Sequence, residues 1–175
     1  QTQEEKLGDG DKAFGVLCEA MAEAADQPEL ETILEKVERL GAEDERAEPL
    51  LAAYEATVDH ILDSGLQKRV LRSQGQVALE RLGRLDVARR SYERVLELSP
   101  DAETAADALE QIYLRQDDYQ PLADLLVSRA DRASESDVRD EALIRAAQIQ
   151  RDQLSQPEES IRLYERLSAD AMARA

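Results

Sequence analysis

The sequence predicts an all-α protein, an α-solenoid of antiparallel helical hairpins with about nine helices. Three observations carry this reading. Apolar residues recur at the spacing of one helix face, and no segment alternates with period two for more than a few residues. Gly, Pro, Ser and Asp breakers fall at short intervals. Residue patterns also return at a shift of about 72 positions, as stacked helical hairpins require.

Taken in order, helices are expected over about 11–26, 29–41, 47–63, 66–83, 85–98, 101–116, 119–133, 136–154 and 157–168. The joints between them are Gly8 with Gly10, Gln27-Pro28, Gly41, Ser64-Gly65, Gly83, Ser99-Pro100, Asp117-Asp118, Ser134 to Ser136, and Ser155 to Pro157. In 85–98, Leu85, Ala88, Tyr92, Val95 and Leu96 share one face, while Arg89, Arg90, Glu93 and Glu97 take the other. Pro49 and Pro121 each lie in a first turn, where a missing N–H is harmless. The joints are short, so neighbouring helices are expected to run antiparallel. The chain is expected to form a single repeat domain over 1–175, with hairpin units of about 29–63, 66–98, 101–133 and 136–168 after a lone helix at 11–26. The run "GDGDK" at 8–12 fails as a calcium loop, because Ala13 falls where an oxygen ligand is needed. It reads instead as an inter-helix turn with an N-cap at Asp11.

The repeat is visible in particular residues. Tyr92-Glu93-Arg94 recurs as Tyr164-Glu165-Arg166, Leu82 and Ala88 as Leu154 and Ser160, and Pro49-Leu50 as Pro121-Leu122, each 72 positions on. Gly8 and Ala13 match Gly83 and Ala88 at a shift of 75. The stretch "LGRLDVARRSYERVLELSP", residues 82–100, resembles the tetratricopeptide repeat (TPR), a helical hairpin of about 34 residues with a W-x2-L-G-x2-Y, A-x3-F, P pattern. Ala88 takes the small-residue position, Tyr92 the aromatic one, Pro100 the closing Pro, and Gly83 the turn. A small residue there lets the two helices cross closely, and the aromatic ring fills the gap beside it. The next unit places Leu109, Tyr113 and Leu122 on repeat positions, and a third places Ser160 and Tyr164. The chain departs from the pattern at Arg72, Gly75 and Gln76, which stand where Trp, Leu and Gly are expected.

Composition sets limits on function. The chain has 175 residues, a formal net charge of -17, and 42% apolar residues, too many for a disordered acidic chain. With no Trp and one Phe, a large aromatic core is excluded. The basic residues are mostly Arg, a bacterial-type composition. Such acidity argues against nucleic acid as a partner, since phosphate neutralisation needs a basic surface. It argues equally against docking on anionic lipid, and no 18-residue apolar run supports membrane insertion. Cys18 is alone, so no intrachain disulfide forms, and it reads as a small buried hydrophobe. The chain starts at Gln1 without Met and reads as a fragment of a longer protein, expected in the cytoplasm.

No residue set points to catalysis. His60 is the only histidine, sits near a helix C-terminus, and reads as a cap or packing residue. No H-E-x-x-H, C-x-x-C, G-x-S-x-G or phosphate-loop motif occurs. Acidic pairs among 39 carboxylates read as solvated helix faces, and "ARRSYERVLE" as i,i+4 ion-pair support. The expectation is therefore no enzyme activity, no cofactor and no metal.

What the resemblance implies is a right-handed α-solenoid with a binding groove lined by the first helices of successive hairpins, taking a peptide or helix of a protein partner. On that alignment the groove positions are Ser73, Gln74, Val77 and Arg81, then Asp107, Gln111, Leu114 and Arg115, then Arg145, Ile149 and Asp152. Gln74, Arg81, Gln111, Arg115 and Arg145 are the expected partner-binding residues. Ser73 and Val77 replace the Lys and Asn with which one TPR subclass clamps a C-terminal carboxylate, so that clamp is expected to be missing. The acidic exterior favours partners with basic patches. A second reading is a structural self-assembly module, a homodimer stacking through exposed array ends.

Overall fold

The computed structural model describes residues 3–173, with side chains described over 10–43 and 45–169. Among the described residues there are nine α-helices and no strand. They are α1 (Gln3–Glu23), α2 (Leu30–Leu40), α3 (Ala47–Thr57), α4 (Ser64–Gln76), α5 (Leu85–Leu98), α6 (Glu103–Arg115), α7 (Tyr119–Arg132), α8 (Ser136–Asp152) and α9 (Pro157–Ala173). Short 3-10 turns at Asp44–Arg46 and Val58–His60 flank α3, and a π-helical turn, Val77–Arg81, continues α4. The chain divides into two compact units, Gln1–Pro100 and Asp101–Ala175.

In the first unit α1 packs on α2 and α3, α3 on α4, and α4 on α5. Each helix buries one stripe. In α2 it is Leu30, Leu34 and Val37; in α5 it is Ala88, Ser91, Tyr92 and Val95. Burying each Leu or Val contributes about 1.5–3 kcal/mol. Asp63 caps α4, its Oδ1 accepting from the Leu66 N–H at 2.8 Å. Gly75, which breaks the repeat pattern, has a clear role. A Cβ placed on it would lie 2.8–2.9 Å from the Cζ and Cε2 atoms of the Tyr92 ring. The bare backbone of α4 is thus the bed on which the α5 tyrosine lies.

In the second unit α6 packs on α7, α7 on α8, and α8 on α9. Its buried stripes are rich in alanine: Ala105 and Ala106 in α6, Ala123 and Ala130 in α7, and Ala142, Ala146 and Ala147 in α8. Leu163 and Leu167 of α9 close over Ala130, Ala142 and Leu143.

The 72-residue spacing recurs in the backbone. At the α4–α5 turn the Leu82 N–H bonds to Val77 O at 3.2 Å and the Arg84 N–H to Ala78 O at 2.7 Å. At the α8–α9 turn the Leu154 N–H bonds to Ile149 O at 3.2 Å and the Gln156 N–H to Gln150 O at 2.8 Å. The residue between is left-handed in both, Gly83 at φ 64° and Ser155 at φ 54°. The α6–α7 turn reaches the same end by a Schellman motif: Asp117 has φ 52°, and the Asp118 N–H bonds to Tyr113 O at 2.9 Å.

One expectation is overturned. Residues 8–12 are not a turn, and Asp11 is not an N-cap, because α1 runs unbroken through them. The reason is Arg46, which is only 6% exposed. Its Nε and Nη2 donate to Asp11 Oδ1 at 2.9 and 2.7 Å, and its Nη1 donates to Leu40 O at 2.6 Å. Its guanidinium also stands 5.6 Å from the centre of the Phe14 ring. A Cβ on Gly10 would lie 3.1 Å from Arg46 Nη2, so the glycine makes room for the guanidinium. Glycine costs about 1 kcal/mol in a helix relative to alanine. Docking the arginine offsets that cost.

Candidate functional site

The π-helical turn after α4 decides which side chains meet. In a regular helix Arg81 would lie within about 20° of Gln74, seven residues before it. The Leu82 N–H instead reaches back five residues to Val77 O, and the wider turn swings Arg81 toward the Ser73 side. Ser73, Val77 and Arg81 therefore line one open depression of about 420 Å³, together with Glu38, Tyr54 and Glu80. Gln74 lines a different cleft, with Glu55, Asp59, Arg90 and Arg94. The expected groove positions of the first unit are thus brought together in three cases and separated in the fourth.

Each wall of the depression is held in place. Glu38 of α2 accepts from Arg69 Nη2 at 2.7 Å and from the Ser73 hydroxyl at 3.0 Å. The Tyr54 phenol of α3 is buried beside them; burial and then the Glu38 carboxylate push its pKa well above the ordinary value, so it stays a neutral donor. Glu80 is exposed and accepts from Gln76 Nε2 at 3.0 Å. Arg81 is committed within the chain: Nη1 donates to Gly41 O at 2.8 Å and Nη2 to Glu43 O, capping the carbonyl end of α2. Two carboxylates and a neutral phenol thus surround a space whose arginine already has acceptors.

In the second unit the expected positions divide in the same way. Arg145 of α8 donates to Glu110 of α6, which Arg129 of α7 also contacts at 3.3 Å. Arg129 further pairs with Asp107 at 2.9 Å and Glu103 at 2.8 Å. Arg145 and Asp107 are therefore parts of an ion-pair network that ties α6, α7 and α8. Asp152 is held by Arg151 at 2.6 and 2.9 Å, and that hydrogen bond lowers its carboxyl pKa. Gln111 and Arg115 stand exposed on α6 beside Leu114, which is 48% exposed.

The remaining candidates are quickly placed. His60 is exposed at the end of the 3-10 turn after α3. Cys18 is half-buried, and its thiol pKa is raised by burial and then by Glu19. Among the described residues no group of three or more His, Cys, Asp or Glu is placed to hold a metal ion. No described helix is long and apolar enough to cross a membrane. Sequence reasoning missed Glu38, Tyr54 and Glu80, which come from the preceding helices or from a turn whose register the spacing does not reveal. No protein-family model and no curated protein matches this chain.

Proposed function

We propose that the chain is a protein-interaction module, a TPR-like array of helical hairpins that takes a peptide or helix of a partner protein. The observation that carries this reading is the convergence of Ser73, Val77 and Arg81, three expected groove positions, on one open depression between α2, α3 and α4. Glu80 is the exposed carboxylate of its lining, Glu38 is paired with Arg69, and the Arg81 guanidinium is held by the carbonyls of residues 41 and 43. The chain as a whole carries a formal charge of -17. That overall acidity favours a basic partner segment, whose association slows as salt screens the attraction. No cofactor or metal enters this reading.

Arg81 and Arg145 make poor test positions, because each holds helices of this chain together. Ser73→Arg and Glu80→Arg place a cation in the depression; the first gives up the Ser73 bonds to Glu38 and Tyr54, and the second only the Gln76–Glu80 bond within one turn. Proteins captured by the native chain are expected to be lost from both variants, at unchanged helicity by circular dichroism. Arg115→Glu probes the exposed face of α6 in the same experiment. Capture undiminished in both depression variants would sink the reading.

A further inference from the structure

The side of α4 that carries Gln74 faces a second cleft of about 230 Å³, separate from the depression on the Ser73 side. Its floor is Leu71 and Gln74 of α4, one wall is Glu55 of α3 with Asp59 just beyond it, and the other wall is Arg90 and Arg94 of α5. Gln74 is only 8% exposed, yet its amide oxygen has no hydrogen-bond partner. A buried amide left in that state is a cost to the fold unless something else uses it. At one end the cleft is closed by the pair Arg94–Asp59, at 2.8 Å. Four residues before each of these, on α5 and α3, stand Arg90 and Glu55, both exposed, and among the described residues neither is in an ion pair. A free cation and a free anion thus flank a polar floor that lacks a partner.

We propose that this cleft binds an extended peptide segment carrying adjacent acidic and basic residues. Three features fit that chemistry. The Gln74 amide lies in the cleft floor, and a turn of its side chain brings the buried oxygen and the N–H together against the N–H and C=O of a peptide main chain. Successive side chains of an extended strand point to opposite sides, so one reaches α5 and the next reaches α3. Arg90 then takes the carboxylate in a forked pair, and Glu55 takes the ammonium or guanidinium. The volume is below that of a drug-sized pocket and suits about one residue with its flanking peptide groups. This extends the reading of the chain as a binder of peptide segments to a second face of α4.

The test is a titration of the isotopically labelled full chain with acetyl-Gly-Asp-Lys-Gly-amide, followed by nuclear magnetic resonance at the Gln74 side-chain amide and Arg90 Nε–H. Both signals are expected to shift and saturate, and the neutral peptide acetyl-Gly-Asn-Gln-Gly-amide is expected to bind at least about tenfold more weakly. Arg90→Glu abolishes the response. Gln74→Met, which replaces an unpartnered amide with an apolar chain of similar length, raises the unfolding temperature while removing the shift at Arg90. A glutamine kept for the fold would instead lower that temperature on replacement, and this result overturns the proposal. No saturable shift, or equal binding of the neutral peptide, also overturns it. Glu80→Arg leaves this titration unchanged, so failure here is distinct from failure of the depression on the Ser73 side.

Discussion

Arg46 in the first unit and Arg129 in the second are both bound by carboxylates, but the two have opposite settings. The Arg46 side chain is 8% exposed, spans α1, the end of α2 and the start of α3, and leans on Phe14. The Arg129 side chain is 24% exposed, and two of its three partners, Glu103 and Asp107, are 69% and 58% exposed. The cores differ to match. Phe14, Tyr54 and Tyr92 fill the first, whereas alanines let the helices of the second approach closely, with Tyr113 its buried aromatic residue. Large side chains need individual fitting, and glycines at 10 and 75 are cut to them. Small side chains need little fitting, and their helices are tied from outside. The difference teaches that one helical hairpin pattern is stabilised in two ways within a single chain.

The sharpest way to break this comparison is to remove the arginines. Arg46→Ala leaves the Leu40 carbonyl without its donor and empties the space between α1 and α3. It should cost about 2–4 kcal/mol in denaturant unfolding. Arg129→Ala removes three partly solvated ion pairs but leaves Glu110 paired with Arg145, and should cost about 1 kcal/mol. Equal losses would erase the distinction.

Next in size is Gly75→Ala. Alanine is the better helix former, yet its Cβ would press on the Tyr92 ring, so a net loss of about 1–2 kcal/mol is expected. Shortening the ring side chain as well, in Gly75→Ala with Tyr92→Leu, should recover part of the loss. An increase in stability on Gly75→Ala alone would show that the ring does not need the bare backbone.

The equivalent turns offer a smaller pair of opposite effects. Gly83→Ala puts a Cβ on a backbone at φ 64° and should destabilise by about 1 kcal/mol. Ser155→Gly relieves the same strain in the second unit and should stabilise by a few tenths of a kcal/mol. Effects of the same sign would mean that the two turns are not equivalent.

The last contrast is silent near neutral pH. Burial, and then Glu80, lift the Tyr92 phenol from an ordinary 10.0 to about 12. The unfolded chain then ionises first, so this phenol's contribution is complete below about pH 10 and is lost as pH rises through about 12. Tyr92→Phe should flatten the alkaline decline of stability over that interval. An unchanged decline would place its cause elsewhere.

Much of the helical framework is legible from residue spacing alone. Apolar periodicity and the Gly, Pro and Ser breakers locate the helices, and the 72-residue shift of Leu82 and Leu154 reappears as shared backbone hydrogen bonds. The first helix is misread because Gly8 and Gly10 look like a turn until Arg46 is seen seated against Gly10. "DERAEP" gives no hint that its arginine is buried, since burial depends on partners 35 and 6 residues away. The π turn at 77–81 is likewise a matter of fit between α4 and its neighbours, and it parts Gln74 from Arg81. Arg81 and Arg145 read as partner contacts because a helix register shows which face a charge is on. It does not show whether an acceptor of the same chain already waits there.

The central claim is that partner proteins meet the chain at the depression beside Ser73. Placing a photo-crosslinking side chain at Glu80, which lines that depression, and separately at Glu97, an exposed position on α5, tests it most directly. The account predicts a crosslinked partner from position 80 and none from position 97. Crosslinks from 97 alone, or of equal yield from both, would contradict it.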